Sequence, residues 1–115
     1  VSFGSLEDRE PRVAQAIRLM EERLDKPVAI AAIAMIMKIS VRRLEMLFSE
    51  HLGLSPAAYF TRLRLKMAQR LLKDTGSSIQ EIALRTGFSS TTSFSRSFKR
   101  FSGVAPLKFR HSKKT

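Results

Sequence analysis

Residues 79–106, IQEIALRTGFSSTTSFSRSFKRFSGVAP, hold the pattern that decides the fold. Ser78, just ahead of the stretch, and Glu81, three residues on, form a capping box, which opens a helix carrying Ile79, Ile82 and Ala83. Gly87 and Phe88 turn the chain. From about Ser90 to Phe101, Phe94, Phe98 and Phe101 recur at intervals of four and three, the stripe of an amphipathic helix. Gly103 stops that helix and Pro106 starts a short last one. Helix, tight turn, helix is the motif.

The motif occurs twice. Ile33, Ala34 and Ser40 recur 49 residues later as Ile82, Ala83 and Ser89. Beyond the second turn the offset becomes 50, relating Leu44 to Phe94, Phe48 to Phe98, Gly53 to Gly103, Pro56 to Pro106 and Tyr59 to Phe109. One extra residue in the second turn accounts for the change. Each copy therefore reads as a helix with a buried Ile-Ala pair, a turn, a capped amphipathic helix, and Gly-x-x-Pro opening the next element, which is a helix-turn-helix.

Around the repeat the same rules place the remaining helices. Val13, Ala16, Ile17, Met20 and Leu24 predict an amphipathic helix over Pro11 to Leu24 that ends ahead of Pro27. From about Ala29 to Met37 nearly every residue is apolar, which predicts a helix buried on several sides. Ser40 caps the next helix, with Leu44, Leu47, Phe48 and Leu52 on one face and Gly53 as its stop. Ser55 and Pro56 open an unbroken run to Asp74, about 30 Å of helix, with Gly76 expected to close it. No alternating β-branched stretch is present. The expected fold is all-α: seven helices, with an N-terminal linker (1–10), a first helix-turn-helix subdomain (11–53), a long linker helix (55–75) and a second subdomain (76–112).

Composition narrows the function. The formal net charge is +11, and the excess is confined to one half. Residues 1–52 hold eight basic and eight acidic side chains, whereas residues 53–115 hold thirteen basic ones against Asp74 and Glu81 alone. A surplus of that kind on a small domain suits the neutralisation of phosphates. Catalysis is not expected: His51 and His111 stand apart, Cys is absent, and Glu21 and Glu22, being consecutive, point in different directions. No metal or cofactor is expected either. Lack of Cys fits a reducing compartment, with the cytoplasm as the default. The longest apolar run, Val28 to Met37, is too short to span a membrane. A start without Met suggests a piece of something longer.

The second copy, Ile79-x-x-Ile82-Ala83-x-x-x-Gly87-Phe88-Ser89-Ser90-x-x-Ser93-Phe94-Ser95-Arg96-x-Phe98-Lys99-x-x-x-Gly103-x-x-Pro106, strongly resembles the signature of the AraC/XylS transcription regulators. Ser40-Val41-Arg42-Arg43-Leu44-Glu45-Met46-Leu47-Phe48 and the linker residues Tyr59, Arg64, Ala68 and Leu71-Leu72 are similar too. The resemblance covers residues 11–110. It implies a DNA-binding domain of two helix-turn-helix units bridged by a rigid helix, reading successive major grooves of double-stranded DNA, most often to activate transcription. It also implies RNA polymerase as a partner and a separate N-terminal sensor and dimerisation domain. Leu19-Met20-Glu21, Lys26-Pro27 and Arg64-Leu65-x-x-Ala68 resemble the subgroup whose sensor is similar to an amidotransferase. Two departures stand out. Lys38 occupies the turn position of Gly87, which predicts a different backbone geometry there, and Ala29 and Ala32 replace the usual cap pair.

Subtracting the expected core leaves the candidate readers. On the first recognition helix Arg42, Met46 and Ser49 fall opposite Leu44, Leu47 and Phe48, with Glu45 at the edge and Arg43 further round. Arg42 suits guanine O6 and N7, Glu45 cytosine N4, and Met46 a thymine methyl, while Arg43 lies nearer the backbone phosphates and Val41 joins the candidate DNA-binding set. On the second, Thr92, Ser95, Arg96 and Lys99 are expected outward, with Ser90 and Thr91 at the start. The rival reading is a cationic helical module that docks on an anionic membrane or a protein partner. It requires an exposed apolar helix face, and seven helices are expected to bury one another's stripes. The basic stretch Arg110 to Lys114 is expected to be a tail offering nonspecific attraction at most.

Overall fold

The computed structural model describes residues 10–112, which contain seven α-helices and no strand. They are α1 (Pro11–Glu21), α2 (Ile30–Met37), α3 (Val41–Leu52), α4 (Pro56–Asp74), α5 (Ile79–Arg85), α6 (Thr91–Ser102) and α7 (Pro106–His111). Two compact units divide inside α4, one ending at Thr61 and the other resuming at Arg62. The start of α4 belongs to the first and the remainder to the second.

In the first unit Val13, Ala14, Ala16, Ile17 and Met20 of α1 close over Ile33 and Ala34 of α2 and Leu44, Leu47 and Phe48 of α3. Glu10, nearly buried, caps α1: its carboxylate accepts from Arg12 N at 3.3 Å and meets His51 Nε2 at 3.4 Å, tying the end of α3 to the start of α1. Helix α1 ends at Glu21, three residues short of the expected Leu24. Arg23 folds back to donate from its side chain to the Leu19 carbonyl at 2.9 Å, while the Arg18 and Met20 carbonyls accept from the Glu22 and Arg23 amides, so the last turn is closed without further helix. A larger departure concerns α2. Only Ile33 and Ala34 are buried there; Met35 is 77% exposed and Ile36 48%. The expectation of burial on several sides fails because α1 and α3 cover one face of α2 and no described element covers the other.

The second unit packs Leu65, Ala68 and Leu72 of α4, Ile82 and Ala83 of α5, and Phe88, Phe94 and Phe98 into one core, flanked by Leu71, Ile79, Phe101 and Phe109. Phe88, Phe94, Phe98 and Phe109 run through it as a chain of rings with centroids 5.4, 5.6 and 5.4 Å apart. Gly76 does not close α4, because its backbone is not left-handed. Thr75 and Arg110 do so together: Thr75 meets the Leu71 carbonyl with its N–H at 3.1 Å and its hydroxyl at 2.6 Å, and Arg110 of α7 donates from Nε to the Leu72 carbonyl at 3.0 Å and from Nη2 to the Thr75 carbonyl at 3.2 Å. Lys73 Nζ reciprocates onto the Ser112 carbonyl at 2.7 Å. Arg110 is thus structural, not part of a tail; Lys113 and Lys114 lie outside the described residues.

The sequence repeat is a repeat of contacts. Ser40 Oγ accepts from Arg43 N, and Ser90 Oγ from Ser93 N, both at 3.0 Å. Phe48 meets Tyr59 edge-on at 5.8 Å, and Phe98 meets Phe109 in the same way at 5.4 Å. The turns agree as well. Lys38 N and Ile39 N donate to the Met35 and Ala34 carbonyls, as Gly87 N and Phe88 N do to Leu84 and Ala83. Lys38 adopts the left-handed conformation, φ 60°, beside 83° for Gly87, so the geometry expected to differ is kept, and a side chain bears the strain. One capping pair does diverge. Ala29 makes no side-chain bond to α2, while Ser78 and Glu81 complete their box on α5, and those hydrogen bonds hold Glu81 below the usual carboxylate range.

Lys38→Gly removes the left-handed penalty and should stabilise the chain by about 1 kcal/mol, net of the entropy glycine adds to the unfolded state. Thermal denaturation should show a rise of about 4–8 °C; a fall would mean the lysine side chain itself holds the turn. Arg110→Ala should cost about 1–2 kcal/mol through two orphaned carbonyls while leaving the salt dependence of DNA binding unchanged. A shallower salt dependence with unaltered stability would return Arg110 to the role of a phosphate contact.

Candidate nucleic-acid interface

Each unit holds one long helix whose buried side is apolar and whose other side is exposed among the described residues. Helix α3 is anchored by Leu44, Leu47 and Phe48, all essentially buried. Its exposed residues are Arg42, Arg43, Glu45, Met46, Ser49 and Glu50, with Met46 44% exposed; Val41 is half-buried in the first turn. The reading set expected from the sequence therefore shares a single surface. Arg42, Met46 and Ser49 follow one another at four and three residues, so guanidinium, thioether and hydroxyl line one ridge.

Helix α6 is anchored by Phe94 and Phe98, which rules these rings out as stacking platforms for unpaired bases. Thr91, Thr92, Ser93, Arg96, Lys99 and Arg100 are exposed. Ser95, expected outward, is half-buried instead, because a 100° step from Phe94 leaves it on the flank of the helix. Ser90 is exposed and is the N-cap, its Oγ already accepting from Ser93 N; the hydroxyl proton remains for an outside acceptor. Ser93 and Arg100 extend the polar surface past the residues picked out by sequence.

A shallow cleft opens at the start of α6, lined by Gln80, Ala83 and Leu84 of α5 with Ser89, Ser90 and Thr91. Sequence reasoning passed over Gln80 and Leu84. Their spacing of four on α5 was the available signal, since it puts them on one face beside Ala83. Behind the turn, Arg64 of α4 lays its guanidinium 4.5 Å from the centroid of Phe88, a cation-π contact, and burial holds Arg64 below the ordinary arginine range. The Phe88 ring at the turn thus contacts both the Arg64 guanidinium and the Phe94 ring, the latter in a T-shaped pair.

Among the described residues no group of His, Cys, Asp or Glu is arranged to hold a metal, and no helix is long and apolar enough to cross a membrane. The exposed groups on α3 and α6 include hydroxyls, cations, the carboxylates of Glu45 and Glu50 and the thioether of Met46, and the hydroxyls and cations are of the kind that contacts phosphates and base edges.

Comparison with known proteins agrees. A family model described as a helix-turn-helix domain matches residues 33–112. The transcriptional regulator GbdR of Pseudomonas aeruginosa is 38% identical over 97 residues, which cover 84% of this chain and 26% of that protein. The chain therefore spans about a quarter of that relative's length. A Chromobacterium violaceum regulator described as containing an AraC-type DNA-binding domain superposes with a TM-score of 0.86 at 36% identity, covering 95% of this chain and 94% of that one. The DNA-binding domain of AdpA, solved in complex with a target DNA, superposes with a TM-score of 0.81 at 27% identity over 86% and 89% of the two chains. With both helix-turn-helix copies matched in sequence and fold, this chain belongs to the AraC-type family of helix-turn-helix DNA-binding domains.

Proposed function

We propose that the chain is the sequence-specific duplex-binding part of a longer cytoplasmic transcription regulator, each unit offering one recognition helix to the major groove. The observation that carries this reading is the twice-built ridge: a serine-capped helix locked by buried apolar side chains, with Arg42, Met46 and Ser49 outward in α3 and Thr92, Arg96 and Lys99 outward in α6. Helix α4, 19 residues long, contributes to both units, its start to the first and its remainder to the second. AdpA, a structural relative, is seen bound to its target DNA. Because the chain spans about a quarter of GbdR's length, a sensor and dimerisation domain in the same polypeptide is part of the proposal, as is RNA polymerase as the partner of a promoter-bound regulator.

Within this reading Arg42 and Arg96 read guanine edges, Glu45 a cytosine amine and Met46 a thymine methyl. Thr91, Thr92 and Ser49 approach bases or backbone, and Arg43, Lys99 and Ser90 hold phosphates. Val41 and Ser95, both half-buried, contribute at the rim.

Selection of bound duplexes from a random library should yield a preferred site, against which variants are titrated over a range of salt. Arg42→Ala and Arg96→Ala should each lose about 1–3 kcal/mol on that site and relax preference at particular base pairs. Lys99→Gln should weaken all duplexes alike and reduce the salt slope by about 1. Equal affinity for every duplex at physiological salt would sink sequence-specific regulation.

A further inference from the structure

The internal repeat contains its own control experiment. Helices α2 and α5 are equivalent at an offset of 49, and each buries the same Ile-Ala pair, Ile33-Ala34 and Ile82-Ala83. Their outward faces are opposite in kind. On α5 that face carries Gln80, Glu81, Leu84 and Arg85; the same positions on α2 are Ala31, Ala32, Met35 and Ile36. Leu84 and Met35 are both well exposed, at 62% and 77%, so one apolar residue at this point is common to both copies. The replacement of Gln, Glu and Arg by Ala, Ala and Ile is peculiar to α2, and α5 demonstrates that the fold does not require it. An eight-residue helix without one polar side chain, with Val28 also exposed just ahead of it, is a surface kept apolar at the expense of solubility.

We infer that the outward face of α2 is a docking surface for the remaining part of the same polypeptide, a protein surface of apolar side chains that is neutral or acidic at its rim. Three arguments select that occupant. DNA is disfavoured, since α2 supplies no side-chain donor and no charge with which to meet a phosphate. A second copy is disfavoured because each carries +11, and Lys38 stands exposed at the end of α2 itself. Size settles the rest: one short helix face offers on the order of a few hundred Å², below the roughly 800 Å² per partner of a standard free-standing interface. A patch that small is occupied when a covalent tether supplies the effective concentration. The inference rests on the reading above that a further domain exists.

Methionines placed by the fold make the test direct. Met20 is fully buried, Met35 lies on the α2 face, and Met46 lies on the α3 ridge. With 13C-labelled methionine methyls and a soluble gadolinium chelate, Met35 and Met46 of the 115-residue chain should broaden while Met20 does not. The selected duplex should protect Met46 and leave Met35 exposed. In the full-length protein without DNA, Met35 should become protected. The variant Ala31→Gln, Ala32→Glu, Ile36→Arg, which gives α2 the face of α5, should expose Met35 again in the full-length protein and leave the duplex affinity of the 115-residue chain within about twofold. Ile36→Arg alone serves if the triple variant unfolds. Met35 equally broadened in the short and full-length proteins overturns the inference, as does its protection by duplex, or protection that grows with concentration in the short chain, which would mean self-association. Failure of the regulator reading looks different: Met46 stays exposed at every duplex concentration.

Discussion

Everything functional in this molecule depends on one backbone constraint met twice, a left-handed residue within two positions of the end of the first helix of each hairpin, at once after Met37 in the first and one residue on, past Thr86, in the second. At Lys38 and at Gly87 the chain reverses hand for a single residue, and two amide hydrogens close the carbonyls that the helix end would leave orphaned. The reversal brings the next helix back across the first within a few residues. Its apolar stripe meets the Ile-Ala pair, and its opposite side is left exposed among the described residues. The recognition surface is therefore a by-product of the turn: what the core takes from α3 and α6 determines what remains for a ligand. That the first copy retains this geometry with a lysine, at a cost of about 1 kcal/mol or more against glycine, shows how strongly the surrounding contacts prescribe it.

Much of this was legible because the deciding interactions are local. Ser40, Ser55, Ser78 and Ser90 each cap the helix that follows through a bond to an amide three residues on, a relation written in the spacing itself. The phenylalanine intervals gave the core of α6, and subtraction of that core gave Thr92, Arg96 and Lys99. Misreadings arose where a distant or backbone partner decides. The end of α1 depends in part on Arg23 reaching the Leu19 carbonyl, and the closure of α4 in part on Arg110, 38 residues beyond the carbonyl it meets. Neither is visible in periodicity.

Two further misreadings are instructive about faces. A uniformly apolar helix such as α2 has no periodicity to show which side is buried, so sequence suggested burial on several sides, whereas the packing takes Ile33 and Ala34 and leaves Met35 and Ile36 to solvent. Ser95 failed in the opposite sense: at 100° from Phe94 it belongs to neither face. The cleft beside Thr91 escaped because it is assembled from α5 and the turn together, and neither segment alone marks it. Local patterns locate faces; the boundaries between faces need the fold.

The bond between α7 and the end of α4 has a practical meaning for how the gene can be cut and joined. A cut or fusion junction placed just before Arg110 would strip the donors from the Leu72 and Thr75 carbonyls and the acceptor from Lys73. The lesion would surface in the middle of the chain, in the last turn of the connecting helix, far in sequence from the edit. Deletion mapping would then assign to α7 a role in recognition, when what it supplies is the termination of another helix.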